Sequence, residues 1–462
     1  MITEQKDFSF STETKNIILT NNKNNLLVEE LNKILGIDLS KTVEEPFTTI
    51  YTLGKMPAKK IYVVNFKDLL EEKTKEEIIK GITNIKENTV TLIDTFENEK
   101  YLEFVELLSE RMISDNYVLN KFKSKVTEQN KEYFIYGESN VYNNIKKGYV
   151  IGECINKAKT LVNTPYNYMN ATDLANYAKD LERIENVEVT IYNKKEIEEM
   201  NMGAFLGVNK GSYDEPKLIQ IKYKGKKEFK DPVALVGKGV MYDTGGYSLK
   251  TPQSMPGMKV DMAGAAAVVS AIEAIARLQL EENVMSIVAA TDNRIGDNAI
   301  VPDDIITSAL GKTIEIVSTD AEGRLTLADA VWFAQKEGSK KVIDVATLTG
   351  AMVAALGGEF TGAFTNNYDF FNKFKEVTEK TNEKIWEMPV TKGYHEKLKS
   401  KTADISNKGG KYAGANIAAA FIEEFIEDDT AWIHLDIAGT ASDEKNIATG
   451  VMVKTFTEFF CK

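Results

Sequence analysis

Short apolar and polar blocks alternate along the first third of the chain. Brief apolar runs typical of strands are separated by charged stretches with helical periodicity. This alternation predicts a small α/β domain over residues 1–142, and we assign it to shape or assembly because no cluster of catalytic side chains stands out in it. The predicted strands are residues 16–20, 60–66 and 89–94, and the predicted helices are residues 69–85 and 101–113.

The apolar pattern changes near residue 143. Apolar residues recur with helical spacing over residues 143–162, which predicts a helix. The helix is followed by Asn163-Thr164-Pro165, and a proline disfavours the helical conformation in the residue before it. We therefore predict a linking segment over residues 143–165 and a second domain over residues 166–462.

The apolar runs of the second domain are more continuous, as expected for parallel strands that are buried on both faces. They alternate with helical patterns, which predicts a larger α/β domain whose mixed, mostly parallel sheet is sandwiched by helices. The ligand site of such a fold lies at the carboxyl ends of the strands. The predicted strands are residues 187–192, 218–223, 233–236, 284–290, 313–318, 341–346 and 431–437, and the main predicted helices are residues 261–278, 324–338 and 414–427.

Composition narrows the possible functions. The chain has 462 residues, which favours two domains, and a net charge of −12, which disfavours general binding to nucleic acid. The first residues lack the pattern of a signal peptide and no long apolar run is present, so we expect a cytoplasmic protein that does not enter a membrane. With two cysteines and two histidines in the chain, a catalytic or metal site must be built almost entirely from carboxylates, lysine and arginine.

Three polar segments follow strands or begin helices of the second domain. A glycine-rich turn over residues 237–250 carries Lys238, Asp243 and Lys250, and glycines let the backbone approach a ligand closely. The other two segments hold Asp261, at the start of a predicted helix, and the run from Asp320 through Glu322 to Arg324.

Taken one at a time, these residues have ordinary explanations. Asp261 could be a helix N-cap, Lys238 and Lys250 could be surface lysines, and Arg324 could pair with Glu322. Four carboxylates that converge on one crevice, however, cannot all stay ionised without nearby positive charge. Divalent cations would supply it, and oxygen-rich ligation leaves Mg²⁺, Mn²⁺ and Zn²⁺ open.

Three common catalytic motifs are excluded. Gly311-Lys312-Thr313 lacks the earlier glycine of a phosphate-binding loop, because Ile306 occupies that position. Gly237-Lys238-Gly239 lacks the third glycine of a dinucleotide-binding fingerprint, and residues 246–250 end in lysine where a hydrolase nucleophile elbow needs glycine.

The polar segments resemble the signature motifs of the leucyl aminopeptidases, also called cytosol aminopeptidases. Ser318-Thr319-Asp320-Ala321-Glu322-Gly323-Arg324-Leu325 is similar to the family signature Asn-Thr-Asp-Ala-Glu-Gly-Arg-Leu, with Ser318 in place of asparagine. Residues 238–246 are similar to the family's Lys-Gly-x-x-x-Asp-[Ser/Thr]-Gly-Gly stretch, with Thr244 where serine is common. The resemblance continues through residues 258–262, 344–350, 403–405 and 432–441.

The resemblance implies a two-metal exopeptidase that removes single N-terminal residues, preferring leucine-like ones. It implies one metal held by Lys238, Asp243, Asp261 and Glu322, and a second held by Asp243, Asp320 and Glu322, with Mn²⁺ or Zn²⁺ as the ions. A lysine ligand must be neutral, so we expect neighbouring dications to depress the pKa of Lys238.

The resemblance also implies roles for residues outside the metal site. Lys250 would polarise the scissile carbonyl, and Arg324 would anchor a bicarbonate ion that acts as general base. The family assembles as a dimer of trimers, so a homohexamer is expected. The residues that would line the substrate site are Met258, Thr347, Leu348 and Gly350.

Two other functions remain open from the sequence. Some bacterial members of the family also bind DNA as architectural proteins, although the acidic balance of this chain weighs against that role. A two-metal site could also act on a phosphoester instead of a peptide.

Overall fold

The structure is a computed structural model that describes residues 2–4, 8–21, 26–39, 45–65, 72–85, 87–92, 99–125, 133–136 and 139–461. The chain divides into two compact units, Met1–Glu153 and Cys154–Lys462. The division falls inside a long helix, Ser139–Asn163, in the region that the sequence pattern predicts as the linking segment.

The first unit contains a six-stranded sheet in the order β1-β6-β5-β2-β4-β3. All of its neighbouring strands are parallel except β3, which pairs with β4 in the antiparallel sense. Its strands are β1 (Ile2–Glu4), β2 (Asn16–Asn21), β3 (Phe47–Tyr51), β4 (Lys60–Asn65), β5 (Thr89–Leu92) and β6 (Tyr133–Tyr136). Its helices are α1 (Leu26–Leu35), α2 (Glu72–Thr83) and α3 (Glu99–Ser114), and α4 (Ser139–Asn163) begins there.

The sheet of the first unit is covered on both faces. Side chains point alternately to the two faces of a strand, and along β2 Ile17 joins one apolar cluster while Ile18 joins another. The first cluster includes Leu31 of α1, and the second includes Ile78 of α2 and Leu108 of α3. This arrangement explains the short alternating blocks of the sequence in this part of the chain.

The second unit is built on an eight-stranded sheet in the order β15-β14-β17-β13-β9-β10-β8-β7. The four central strands β17, β13, β9 and β10 are parallel, while β14 and β8 run antiparallel to their inner neighbours. Its strands are β7 (Val187–Tyr192), β8 (Lys217–Lys224), β9 (Val233–Asp243), β10 (Asn283–Asn293), β13 (Lys341–Ala346), β14 (Thr361–Thr365), β15 (Ile385–Glu387) and β17 (Ala431–Asp436). A separate small sheet has the order β11-β12-β16, with β11 (Ile305–Thr307), β12 (Thr313–Glu315) and β16 (Ile405–Ser406).

Helices cover both faces of the large sheet. A Cβ added at Gly237 of β9 would lie 2.6–2.7 Å from Gly264 and Ala265 of α8, whereas the next side chain, Lys238, lies against Gly323 at the start of α9. The helices of this unit are α5 (Ala171–Lys179), α6 (Lys194–Glu199), α7 (Gly203–Asn209), α8 (Ala263–Arg277), α9 (Gly323–Lys336), α10 (Gly350–Leu356), α11 (Tyr368–Thr381), α12 (Lys392–His395), α13 (Gly414–Glu423) and α14 (Val453–Phe459). Short 3₁₀ helices occur at Tyr166–Tyr168, Asp180–Arg183, Met258–Met262 and Glu396–Leu398.

The predicted fold class is confirmed, with local differences. The strand predicted over residues 233–236 continues to Asp243, and the helix predicted from Asp261 begins at Ala263, after a 3₁₀ helix. The strand predicted over residues 313–318 ends at Glu315 and belongs to the small sheet. Predicted residues 66, 69–71 and 93–94 of the first domain lie outside the described residues.

Within the part of the chain that the structure describes, every helix is too short or too polar to cross a membrane.

Candidate active site

Polar side chains gather where the four central parallel strands end. Asp243 is the last residue of β9, Asn293 the last of β10 and Asp436 the last of β17, while Thr347 directly follows β13. Since these strands run in the same direction, their carboxyl ends meet at one edge of the sheet. The sequence pattern predicted a site at this edge.

Asp243 and Asp320 are joined through Lys250. The Lys250 Nζ atom lies 2.7 Å from Asp243 Oδ2 and 2.5 Å from Asp320 Oδ1. Gly245, with φ of +85°, makes this turn possible, because a Cβ there would lie 2.9 Å from Asp320 Oδ1. Carboxylate oxygens of Asp243, Asp320 and Glu322 lie within 4.8 Å of one another, close enough to share a bound cation.

Asp261 and Glu322 are joined in the same way through Lys238. The Lys238 Nζ atom lies 2.6 Å from Asp261 Oδ1 and 3.0 Å from Glu322 Oε1, and it donates a hydrogen bond of 3.0 Å to the Thr347 carbonyl. The Thr347 hydroxyl donates to Asp261 Oδ1 at 2.8 Å. Asp261 is therefore not a simple N-cap, and Lys238, only 3% exposed, is not a surface lysine.

The two lysines and four carboxylates control one another's protonation. Burial alone would lower the pKa of Lys238, but Asp261, Glu322 and Asp243 outweigh burial and raise it. Burial raises the pKa of Asp261 and of Asp243. Burial acts in the same direction on Glu322, but the charges of Lys238 and Lys250 hold its pKa below the usual value. The protein's own groups thus favour a charged Lys238, and an added cation is needed to favour the neutral form.

Arg324 lies beside this group, in the first turn of α9. Its guanidinium is almost fully buried and donates from Nη1 to the Asn407 carbonyl at 2.9 Å. Burial lowers the pKa of Arg324 to about 10, which still leaves it charged at neutral pH. The described residues place no hydrogen-bond acceptor at its buried Nε. Arg324 is thus a buried cation whose Nε–H can still donate a hydrogen bond.

The segment after β13 closes another side of the site. The Leu348 backbone N–H donates to Asp436 Oδ1 at 3.1 Å, and the Thr349 hydroxyl donates to Asp436 Oδ2 at 2.7 Å. Gly350 then begins α10 in an exposed position. Met258, half-buried, begins the 3₁₀ helix that carries Asp261.

The two histidines have other partners. His434 is fully buried, with Nδ1 at 2.6 Å from Asp344 Oδ1 and its ring stacked on Phe364. His395 lies between two glutamates, with Nδ1 at 2.6 Å from Glu424 Oε1 and Nε2 at 2.9 Å from Glu423 Oε2. Neither belongs to the carboxylate group found among the described residues.

Sequence reasoning did not single out Asn293, Asp436 or Asn407. Asn407 accepts hydrogen bonds from the Val317 and Ser318 backbone N–H groups, at 2.8 and 3.3 Å, and so holds the segment that leads to Asp320. Asn293 and Asp436 are polar residues at the ends of strongly apolar strands, and that position is the signal that could have identified them.

Comparison with known proteins agrees with the motifs. A sequence profile described as the catalytic domain of the cytosol aminopeptidase family matches residues 156–457. A relative described as "Probable cytosol aminopeptidase", from Bacillus subtilis (strain 168), is 44% identical over 385 residues, which cover 80% of this chain and 77% of the relative. The chain belongs to the cytosol aminopeptidase family. It is a hydrolase of the aminopeptidase class, and this family is metal-dependent.

The side chains at the site of this cytosol aminopeptidase fit the binding of divalent cations. Four carboxylates face only two lysines, so these six side chains carry a formal excess of negative charge. Among the described residues, Asp261 Oδ2 and Glu322 Oε2 are buried oxygens that lack a hydrogen-bond partner. A buried polar atom without a partner is costly, and a cation bound to these oxygens would remove that cost.

Proposed function

We propose that this aminopeptidase binds two divalent cations per subunit, Mn²⁺ or Zn²⁺. Lys238, Asp243, Asp261 and Glu322 would hold one cation; Asp243, Asp320 and Glu322 would hold the other, with the Asp320 carbonyl as a further ligand. The observation that carries this proposal is the convergence of carboxylate oxygens within 4.8 Å, next to two buried oxygens that lack protein partners. When bound, such cations lower the pKa of an attacking water and stabilise the oxyanion formed at the peptide carbon.

Lys250 is proposed to polarise the scissile carbonyl. The charges of Asp243 and Glu322 outweigh burial and raise the pKa of Lys250, which keeps it protonated at neutral pH. Its side chain is 15% exposed, so that it is both anchored by Asp243 and Asp320 and open to a substrate. A fixed ammonium group can donate a hydrogen bond to a carbonyl oxygen on which negative charge develops.

Arg324 is proposed to anchor bicarbonate, which would act as the general base. A guanidinium presents a planar fork of donors that matches a planar oxyanion. The buried Nε atom of Arg324 and its place in the first turn of a 14-residue helix both favour an anion there. The bicarbonate would accept the proton that the attacking water loses.

The substrate is proposed to be the N-terminal residue of a peptide, with a preference for leucine-like side chains. Met258, which lies in the same 3₁₀ helix as Asp261, would offer a flexible apolar side chain to such a residue. The Thr347 hydroxyl and carbonyl bond Asp261 and Lys238, so the segment through Leu348 to Gly350 is fixed directly to the proposed metal ligands.

A hydrolysis assay tests this function. We expect the purified protein to release p-nitroaniline from leucyl-p-nitroanilide, to lose that activity after chelation, and to regain it with Mn²⁺ or Zn²⁺. No release with either ion would refute the proposed activity on leucine-like residues, and turnover of a phosphate ester in its place would favour the alternative substrate class.

Matched lysine variants test the role of Lys250. Lys250→Ala should lower kcat by about 10²-fold or more, since removal of one such donor has an effect of that size. Lys217→Ala is the control, because Lys217 has an equally buried side chain, 11% exposed, that is bonded to Glu215 and Asn193 elsewhere in the same unit. Equal activity of the two variants would exclude a catalytic role for Lys250.

Bicarbonate dependence tests the role of Arg324. We expect added bicarbonate to accelerate the wild-type enzyme in carbonate-depleted buffer and to have no effect on Arg324→Ala. Undiminished stimulation of the variant would show that the anion acts elsewhere.

We further propose a cytoplasmic homohexamer, in keeping with the family to which the chain belongs and with the word cytosol in its relative's name. Residues 1–142 would serve shape or assembly, residues 143–165 would link, and residues 166–462 would carry catalysis. Light scattering on the purified protein should give six times the mass of the chain, and a monomer would contradict the assembly.

A further inference from the structure

Asn293 connects the segments that carry two of the proposed metal ligands. It is the last residue of β10, is 3% exposed, and pairs with Asp243 across the parallel strands β10 and β9. Its Nδ2 atom donates one hydrogen bond to Asp243 Oδ1 at 2.8 Å and another to the Thr319 carbonyl at 2.9 Å. Its own carbonyl accepts from the backbone N–H of Thr244 at 3.0 Å and from the Thr244 hydroxyl at 2.8 Å.

The first of these bonds fixes the orientation of the Asp243 carboxylate. Oδ1 accepts from Asn293 Nδ2 and also from the Gly245 backbone N–H, each at 2.8 Å. Oδ2 is consequently the oxygen that faces Lys250 Nζ, at 2.7 Å, and so faces Asp320. Without the Asn293 donor, the carboxylate would keep only one of the two bonds that hold Oδ1 in place.

The second bond fixes the segment that carries Asp320. The hydroxyl of Thr319, the residue before Asp320, donates to the Gly245 carbonyl at 2.6 Å. The same hydroxyl accepts from the Ser248 backbone N–H at 2.7 Å. The Asn293 amide therefore bonds the end of β9 on one side and the Asp320 segment on the other. The Asn293 side chain thus helps to set the spacing of the two carboxylates, together with Lys250 and Thr319, although it is not one of the proposed metal ligands.

We propose that Asn293 is a positioning residue of the metal site: its amide sets the orientation of Asp243 and the distance from Asp243 to Asp320. This inference rests on the metal site of the proposed function. A residue that hydrogen-bonds to a metal ligand and fixes its orientation typically contributes 10- to 100-fold in metal affinity. Asn293 should therefore influence cation binding in addition to stability.

Asn283 provides a matched control at the other end of the same strand. It is the first residue of β10, is 4% exposed, and donates from Nδ2 to two carbonyls, those of Glu228 at 2.7 Å and Lys230 at 3.1 Å. Asn283→Ala and Asn293→Ala each remove two Nδ2 hydrogen bonds from a buried asparagine. Asn283→Ala also loses the bond that Oδ1 accepts from the Lys226 backbone N–H at 3.2 Å, so it should lose at least as much stability as Asn293→Ala. Only Asn293→Ala should lose affinity for metal.

The test is calorimetric titration of the chelator-treated full-length protein with Mn²⁺, together with thermal unfolding of each variant. We expect the Mn²⁺ dissociation constant of Asn293→Ala to rise 10- to 100-fold, while that of Asn283→Ala stays within about threefold of wild type. Asn293→Ser is a milder second variant in case alanine unfolds the protein. A serine hydroxyl has one donor hydrogen and cannot replace both bonds, so its affinity should fall as well.

The outcomes separate the two proposals. If wild type binds Mn²⁺ and the Asn293 variants bind it as tightly as Asn283→Ala does, the positioning role is wrong and the metal site stands. If wild type itself binds no Mn²⁺ and no Zn²⁺, the metal site fails and the role of Asn293 fails with it.

Discussion

Replacing Gly323 with alanine should displace Lys238 while leaving the backbone fold in place. A Cβ at position 323 would lie 2.3 Å from Lys238 Cε, 2.6 Å from Nζ and 2.9 Å from Cδ. Carbon atoms in ordinary contact are about 3.5–4.0 Å apart, so the end of Lys238 must move by roughly 1 Å or more. Its bonds to Asp261 at 2.6 Å and to Glu322 and Thr347 at 3.0 Å cannot all survive that movement.

The effect on activity should be far larger than the effect on stability. A misplacement of about 1 Å at a catalytic site can cost about 10²-fold in rate, and we expect at least that loss in kcat/KM. Overpacking costs about 1–3 kcal/mol, and alanine regains up to about 1 kcal/mol because it favours the helix that begins at Gly323. The free energy of unfolding should therefore fall by about 3 kcal/mol or less.

The assay is hydrolysis of leucyl-p-nitroanilide at saturating Mn²⁺, with urea unfolding measured in parallel. Gly393→Ala is the matched control: Gly393 is an exposed glycine of α12, and a Cβ there would meet its nearest described neighbour, the Thr391 hydroxyl, at 3.7 Å. Activity of Gly323→Ala within about threefold of this control would show that catalysis does not depend on the position of Lys238.

Three further variants probe the surroundings of the site. Asp436→Ala removes the acceptor of the Leu348 backbone N–H and should raise KM about tenfold. The control is Asp443→Ala, which removes an acceptor of two backbone N–H groups in an exposed turn and should leave KM unchanged. Gly264→Ala would place a Cβ 2.1 Å from the Val345 carbonyl, so we expect a lower Tm by thermal unfolding and not only lower activity. Burial raises the pKa of Asp329 to about 7, above the value of about 3.9 in unfolded chains. Its protonated form therefore contributes stability that is complete below about pH 4 and lost as the pH rises through 7. Urea unfolding of the chelated protein should show a lower free energy of unfolding at pH 8 than at pH 5, and this decrease should be smaller in Asp329→Asn by on the order of 2–3 kcal/mol. An equal decrease in both proteins would contradict the shifted pKa.

Much of the second unit could be predicted from the sequence because its strands are buried on both faces. All eleven residues of β10 are buried, and such a strand appears in the sequence as one apolar run. Strand ends were less predictable. β9 extends to Asp243 because its last residues still pair with β10, although Lys238 and the glycines interrupt the apolar pattern. The three-residue strand β12 pairs with the nearby β11 and also with β16, in which Ile405 is the partner of Ile314, and no local pattern encodes so distant a partner.

The identity of the site residues followed from motifs, but their pairing did not. The sequence placed Lys238 and Lys250 near four carboxylates, and the structure assigns Lys238 to Asp261 and Glu322 and Lys250 to Asp243 and Asp320. These partners are 7 to 84 positions apart in sequence, and they meet because the sheet order brings the ends of β9, β10 and β13 together.

The separations along the chain are 23 positions for Lys238 and Asp261 and 70 for Lys250 and Asp320, so no local pattern could have paired them.

The proposed role of Asn293 depends on strand topology, which the sequence pattern alone does not give. Asn283 and Asn293 are buried asparagines at the two ends of the apolar strand β10. Each donates two hydrogen bonds from Nδ2: Asn283 to two backbone carbonyls, and Asn293 to one backbone carbonyl and to Asp243. Only the topology separates them. Because β9 and β10 are parallel, the residue at the carboxyl end of β10 must lie beside Asp243, whereas the residue at the amino end lies at the opposite edge of the sheet. A buried polar residue at the carboxyl end of a central parallel strand is therefore a stronger candidate for a positioning role than the same residue at the amino end.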